Sequence, residues 1–554
     1  MIPTILAAAV VVSAMCVHGS SSPHGEPGQP ARPFVHSVAD VSDPLSHGVV
    51  GDGLLSVNEA IQLHNRTLLT SQLSLAEQAQ LSGAGADISW INIDASWTPT
   101  ITVERDFDVI VDLPHGCLIQ AFNGEAEFDF RGAGVLHGFR AQSNFCNWRN
   151  LILTGGRYGI DLQQTDASFG GTVVDNVRFD GQSQWAFAVS GLTANGYGRV
   201  LFDRCRFSNT PTAIRCDESG PLRTTVLVAF NTEIAGVATG MDVVLGSGGA
   251  ALLQLDRVVV SATGTAIDVR RSIGGDRPLS LAITHLRANA AQCLRLQGSP
   301  TGASVLDLHM LDLAAVSGGV ALDLGPVGSS IAGVIEDSTL SGAVSVAAGQ
   351  GTAPLAIHNV RLTSGTVVLG SSGAPVTVTA SRFDGCAVTT LGTAPVTISD
   401  SCLVGGSLQG TIGAVLHLNS TFQGAAVGPN VASVAPMAAA QLGSMNLTPQ
   451  VATTGGQVTL GADLPAGFFG VFVIGPTLEL PIYASPDLHV YLDLGFAITL
   501  PGLVVGQQGT AVPIPNDPAF WDTDWVAQLA VLAAIGVSGP ALQVPPGRRF
   551  TIRQ

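Results

Sequence analysis

The sequence predicts an all-β chain: a parallel β-helix with three short strands per rung, a short N-terminal helical cap and a C-terminal β-sandwich. Three observations predict it. An apolar residue follows an Asn or Asp by three positions at Asn150/Leu153, Asn176/Phe179, Asn231/Ile234, Asp256/Val259, Asp337/Leu340, Asn359/Leu362, Asp400/Leu403 and Asn419/Phe422. Phe207, Leu286 and Phe383 continue that apolar column without the polar partner, at steps of about 27 residues that shorten to about 20 after Leu340. Between these marks run short alternating segments such as "LILTGG", "VRFDG" and "VTVTASRFDG". The period suits one turn of a stacked solenoid, and the Asn and Asp positions suit its corners, where their side chains bond the backbone and tolerate unusual φ/ψ. Helical repeats of similar length conflict with the period-2 alternation, and a leucine-rich repeat requires a denser leucine pattern.

Composition agrees. The 554 residues are 46% hydrophobic and 12% charged with 66 glycines, which excludes a disordered chain and favours packed structure rich in turns. The length calls for several domains or one elongated repeat domain. The net charge is −17, from 41 acids and 24 bases, and every base is arginine. This balance excludes nucleic acid as a partner, and the lack of lysine excludes Schiff-base chemistry.

In chain order, "MIPTILAAAVVVSAMCVHGS" has an apolar run from Ile5 to Val12 followed by small residues, and reads as a signal peptide over residues 1–19. A flexible linker over 20–45 and a secreted or cell-surface location follow from it. Residues 46–100 are expected to cap the solenoid: Ser56/Glu59 and the start of "SLAEQAQL" at Ser74 have capping-box spacing. The solenoid is expected over 101–425, a linker over 426–443 and the β-sandwich over 444–554, where strands alternate with Pro and Gly. No segment after the leader is long and apolar enough to span a membrane. Oligomeric state is not readable. Cys205 and Cys216 share inward parity and could meet within one rung, whereas Cys386 and Cys402 fall out of register for a bridge.

Aligning the rungs places Asp161, Ala188, Arg215, Asp242, Asp268, Arg295 and Asp323 in one outward column, at steps of 27, 27, 27, 26, 27 and 28 residues. With rungs about 4.8 Å apart, Asp242 and Asp268 become stacked like charges flanked by Arg215 and Arg295. The simplest account is a solvated charge ladder. The alternative is a groove for a sugar chain or for Ca²⁺, the candidate cofactor, with Asp242, Asp268 and Arg295 as candidate catalytic groups and Arg215, Asp161 and Asp323 as candidate binding groups. A second acidic cluster, "VERDFDVIVDLPHG" with "EAEFDFRG" one rung later, adds Asp106, Asp108, Asp129 and Arg131 as binding candidates. Histidines are scattered without zinc-ligand spacing, so no transition-metal site is expected.

The rung pattern over about residues 100–425, with "FDFRGAG" (128–134) and "VVDNVRFDG" (173–181), resembles the pectate-lyase-like right-handed parallel β-helix superfamily. That resemblance implies the right-handed winding and a polysaccharide-related role. The stretch "GDGLLSVNEAIQLHN" is similar to the Cys-Ser-Leu-Arg-Glu-Ala motif that precedes β-helices in secreted bacterial proteins; Ser56, Glu59 and Ala60 match, and Leu55, Val57 and Asn58 depart. "GTAVPIPNDPAFWDTDWVAQLAVL", with Pro513 to Pro518 and Gln528, resembles the end of a C-terminal module on many secreted bacterial proteins and implies a surface context. The Asn-Thr-Asp, Asp-Asp, Gly-His-Gly and Arg-Ile-Lys motifs of polygalacturonase-like hydrolases are absent, as is a pectate-lyase Ca²⁺ run. The leading expectation is therefore a β-helix protein that binds glycans or a cell-envelope component without catalysis; the alternative is a lyase or glycoside hydrolase for an acidic polysaccharide.

Overall fold

The computed structural model describes residues 37–553, apart from short internal segments that include 165–170, 272–278, 434–443 and 534–541. The expected leader and most of the tether lie outside the described residues. The solenoid is a parallel β-helix. Its strands form three ladders, each joining a rung to the next by parallel pairing. In one ladder the inward residues run Phe139, Ile160, Phe187, Ile214, Met241, Ile267, Leu294 and Leu322. In a second they run Phe128, Leu153, Phe179, Phe207, Ile234, Val260, Ala288 and Leu313. Nearly all of them are fully buried in one continuous core. Parallel pairing already joins Ser37–Val41 to Ile88–Asp94, and it continues to Val431–Ser433.

The corners explain the Asn/Asp signal and correct two of its positions. Asn150, Asn176, Asn231, Asp337 and Asn359 all lie in the left-handed region, with φ between 47° and 57°. Their amides stack: Asn176 Nδ2 donates to Asn150 Oδ1 at 3.0 Å, and Asn359 Nδ2 to Asp337 Oδ1 at 2.6 Å. Elsewhere the same corner is held by Arg204, Arg257, His285, Met310 and Ala380, with φ between 48° and 57°. The inward residue lies three positions after each corner. Val260 and Ala288, each 1% exposed, therefore occupy the column where sequence spacing placed Val259 and Leu286. Spacing failed at Val259 because Asp256, the expected marker, stands one residue before the actual corner at Arg257, and at Leu286 because His285 holds the corner in place of an Asn or Asp.

Both capping boxes form. Helix α1 (Val57–His64) is capped reciprocally by Ser56 and Glu59, and the one-turn α2 (Leu75–Gln78) by Ser74 and Glu77. α1 is fastened to the first rungs by His64 Nδ1 to the Ile88 carbonyl at 2.6 Å and by Asn65, whose amide bonds the Val109 carbonyl and the Val111 amide.

From Ser444 the pairing becomes mainly antiparallel. Two sheets, one of three strands, enclose a separate core that contains Phe468, Phe472, Leu529 and Phe550. This unit rests on the flank of the solenoid. Arg548, 6% exposed, donates from Nε to the Met445 carbonyl at 3.0 Å and from a terminal nitrogen to the Asn359 carbonyl across the junction. Arg382 approaches Asp463 at 3.5 Å. Burial lowers the Arg548 pKa to about 10, with Asp337 opposing the shift.

Cys205 and Cys216 are not bridged to each other; both are buried, and the Cys205 thiol donates to the Val174 carbonyl at 3.2 Å. Burial pushes the Cys205 thiol up to about 12, which leaves it inert as a nucleophile. Cys117 and Cys146 are buried opposite each other on adjacent rungs inside the core.

Candidate functional site: the outer column

The predicted column is present residue by residue. Asp161 pairs with Ala188, Ala188 with Arg215, Arg215 with Asp242, Asp242 with Asp268, Asp268 with Arg295 and Arg295 with Asp323. Arg140 precedes it on the rung before Asp161, and Ser345 follows it. Each member is flanked by inward residues, such as Ile267 and Val269 beside Asp268, so backbone alternation alone turns it outward.

The electrostatics differ from the expected ladder in one place. The Asp242/Asp268 step holds an arginine after all: Arg270, two residues beyond Asp268 and on the same face. Its guanidinium pairs with an Asp242 oxygen and approaches Asp268 Oδ2 at 3.2 Å. It therefore takes the position between the two carboxylates that a shared Ca²⁺ would need. Asp268 is 9% exposed, and its Oδ1 is buried with no hydrogen-bond partner among the described residues. Burial raises the Asp268 pKa, against the pull of Arg270 and Arg295. Arg295 approaches Asp323 at 3.9 Å, and burial raises Asp323 as well. Arg215 is 3.7 Å from Asp217, its neighbour on the same strand.

At the N-terminal end of the column the structure adds groups that sequence reasoning did not select. Tyr158 and Trp185 are cross-rung partners and stack with centroids 4.2 Å apart. His137 tilts against Tyr158 at 4.8 Å, Arg157 covers Tyr158 at 5.0 Å and Arg215 covers Trp185 at 5.1 Å. His137 Nδ1, Arg140 Nε and Trp185 Nε1 are buried without a hydrogen-bond partner among the described residues. Burial, helped by Arg140, lowers the His137 pKa and favours the neutral ring. Burial raises that of Asp161, opposed by His137 and Arg140. The step of 27 residues from Tyr158 to Trp185 was a usable signal, since it equals the step of the column beside them.

The second acidic cluster resolves into internal contacts. Asp108 Oδ2 accepts from Gln62 Nε2 at 2.7 Å, and its backbone amide donates to Asn58, which ties the rung to α1. Asp106 Oδ1 accepts from the His137 amide at 2.8 Å. Asp129 and Arg131 close on each other through two bonds of 2.8 and 2.9 Å, and this contact lowers the Asp129 pKa. Asp112 and His115 lie outside the described residues. Farther along, His309 sits between Asp307 at 2.5 Å and Glu336 at 2.6 Å. Among the described residues no group of three or more His, Cys, Asp or Glu side chains is arranged to hold a metal ion.

No family model and no curated protein matches the sequence. Among solved structures, tailspike protein 3 of bacteriophage CBA120 aligns at 12% identity over 66% of this chain and 58% of its own, with a TM-score of 0.32. This chain thus spans somewhat more than half the length of that tailspike chain. A double mutant of the tailspike protein of E. coli bacteriophage HK620, in complex with a pentasaccharide, aligns at 12% identity over 76% and 85% of the two chains, with a TM-score of 0.30. At such scores the fold assignment rests on the chain's own strand register.

Proposed function

We propose that this is a secreted or cell-surface β-helix protein that binds a glycan along its outer column, between Arg140 and Asp323. One observation carries the reading: hydrogen-bonding groups of His137, Arg140, Trp185 and Asp268, on or beside the column, are withdrawn from solvent, yet no partner among the described residues satisfies them. Such groups cost stability unless something bonds them, and a polyhydroxylated chain supplies both donors and acceptors at the repeat of the rungs. The stacked rings of Tyr158 and Trp185 offer apolar surface beside these polar groups, as a sugar requires.

A hydrolase or lyase reading is favoured by Asp268 alone. A carboxyl whose pKa is raised by burial, next to an Asp242 held by a guanidinium, has the asymmetry of an acid/base pair.

The test is native affinity electrophoresis of the full chain against a polysaccharide panel, with reducing ends and unsaturated products assayed with and without Ca²⁺. Retardation by a polymer, relieved in Trp185→Ala, is the expected result. Retention of that polymer by Trp185→Ala and Asp268→Asn alike would place binding elsewhere. Product formation that disappears in Asp268→Asn would move the protein to the enzyme reading.

A further inference from the structure

Resting on that glycan-binding reading, we infer that the N-terminal end of the column is a subsite for the carboxylate of an acidic sugar. Arginines along the solenoid usually close on acids: Arg149 on Asp175 at 2.9 Å, Arg178 on Glu125 at 2.5 Å and Arg361 on Asp384 at 2.9 Å. Arg140 and Arg157 form no ion pair among the described residues, in a chain where acids outnumber bases 41 to 24. Arg157 covers the Tyr158 face of the stack, and Arg140 lies on the preceding rung opposite Asp161, three residues after the His137 that meets Tyr158. Two further cues point to an anion.

The unsatisfied groups include two obligate donors, Arg140 Nε–H and Trp185 Nε1–H, and neither can accept a hydrogen bond. A neutral hydroxyl can satisfy such donors but leaves the guanidinium charges uncompensated. A carboxylate does both, and guanidinium geometry suits it. The acids that face this cluster are already engaged or weakened: Asp106 accepts the His137 amide, and burial disfavours the charged form of Asp161. Arg215 lies on the far side of Trp185 and adds a third positive group, 3.7 Å from Asp217. His137, whose pKa is lowered, leaves the site dependent on arginines, so anion binding should persist above pH 7.

The experiment compares retention of the full chain in native gels containing polygalacturonate, alginate or hyaluronan with retention by the same polymers after carboxyl reduction, and with dextran and mannan. A net charge of −17 repels polyanions, so retention by one cannot arise from bulk attraction. The expected result is affinity about tenfold or more higher for at least one acidic polymer than for its reduced form. Arg140→Gln/Arg157→Gln, and Arg157→Gln alone at its exposed position, should erase that preference while keeping the wild-type melting curve. Equal affinity for acidic and reduced forms, or retention only by dextran or mannan, would overturn the acidic-sugar subsite and leave glycan binding standing. Retention by no polymer would overturn both.

Discussion

The early rungs and the late rungs fill the same tube differently. Between residues 107 and 207 the interior is aromatic: Phe107 stacks on Phe139 at 4.9 Å, Phe128 meets Phe139 edge-on at 5.0 Å, and Phe179 stacks on Phe207 at 4.7 Å. Beyond Leu340 the described solenoid interior is Leu, Ile and Val, with Phe383 the one ring among its largest fully buried side chains. The step from Leu362 to its partner Phe383 is 21 residues, against 28 from Phe179 to Phe207. A shorter perimeter encloses less volume, and close packing then leaves room for fewer rings. The exterior follows the same division. Late Arg361 and Arg382 both close on Asp384, whereas in the early rungs Arg149 and Arg178 are paired but Arg140 and Arg157 form no ion pair among the described residues.

Substitutions can break this contrast, and the largest effect is expected inside. Phe207→Ala removes a ring from a stack and should cost about 3–5 kcal/mol. Val388→Ala in a narrow rung removes two methyl equivalents and should cost about 2 kcal/mol. Denaturant midpoints measure both, and equal shifts would show that the two ends are packed alike.

A second difference concerns pH. Burial pulls the His309 pKa down, but hydrogen bonds and charge from Asp307 and Glu336 outweigh it and lift the value to about 10. Its contribution is therefore complete below the unfolded value of about 6.5 and is lost as pH rises through about 10. Thermal stability should fall across that window by on the order of 1.5–3 kcal/mol. His309→Gln should flatten the decline; an unchanged pH profile in that variant would remove the ion triad from the account.

Corners should give smaller, opposite effects. Asn176→Ala loses a left-handed-tolerant residue and an amide bond, at about 1–2 kcal/mol. Ala380→Asn places a tolerant residue at φ 48° and should stabilise by about 1 kcal/mol. Smallest of all, Arg131→Gln should change stability by about 0–1 kcal/mol and leave glycan retention intact, because the Arg131 side chain is 65% exposed and its ion pairs among the described residues are with Asp129 and Glu127.

Much of this was legible. Alternation and a 27-residue step placed Asp161 through Asp323 on one face, because parallel stacking copies register from strand to strand. Capping boxes at Ser56 and Ser74 were equally readable, since they are local. Val260 and Ala288 were missed where Arg257 and His285 do the work of an Asn, because backbone geometry rather than side-chain chemistry defines a corner. Arg270 was in plain view in "IDVRR", but its reach back to Asp242 depends on side-chain length, which spacing does not encode. The acids from Asp106 to Asp129 looked like a site because density in sequence does not reveal that α1 and neighbouring arginines absorb them.

The left-handed corners have one more consequence. Since Asn, Asp, Arg, His, Met and Ala all serve there, the turn that ends one strand and aims the next forms with any of them, at differing cost in stability. A rung is then an interchangeable module, and duplicating about 27 residues would lengthen the outer face by one spacing of about 4.8 Å without redesigning what lies beneath it. The span of ligand such a face can measure is set by counting rungs, so a solenoid of this kind can adapt as a ruler does, by adding divisions.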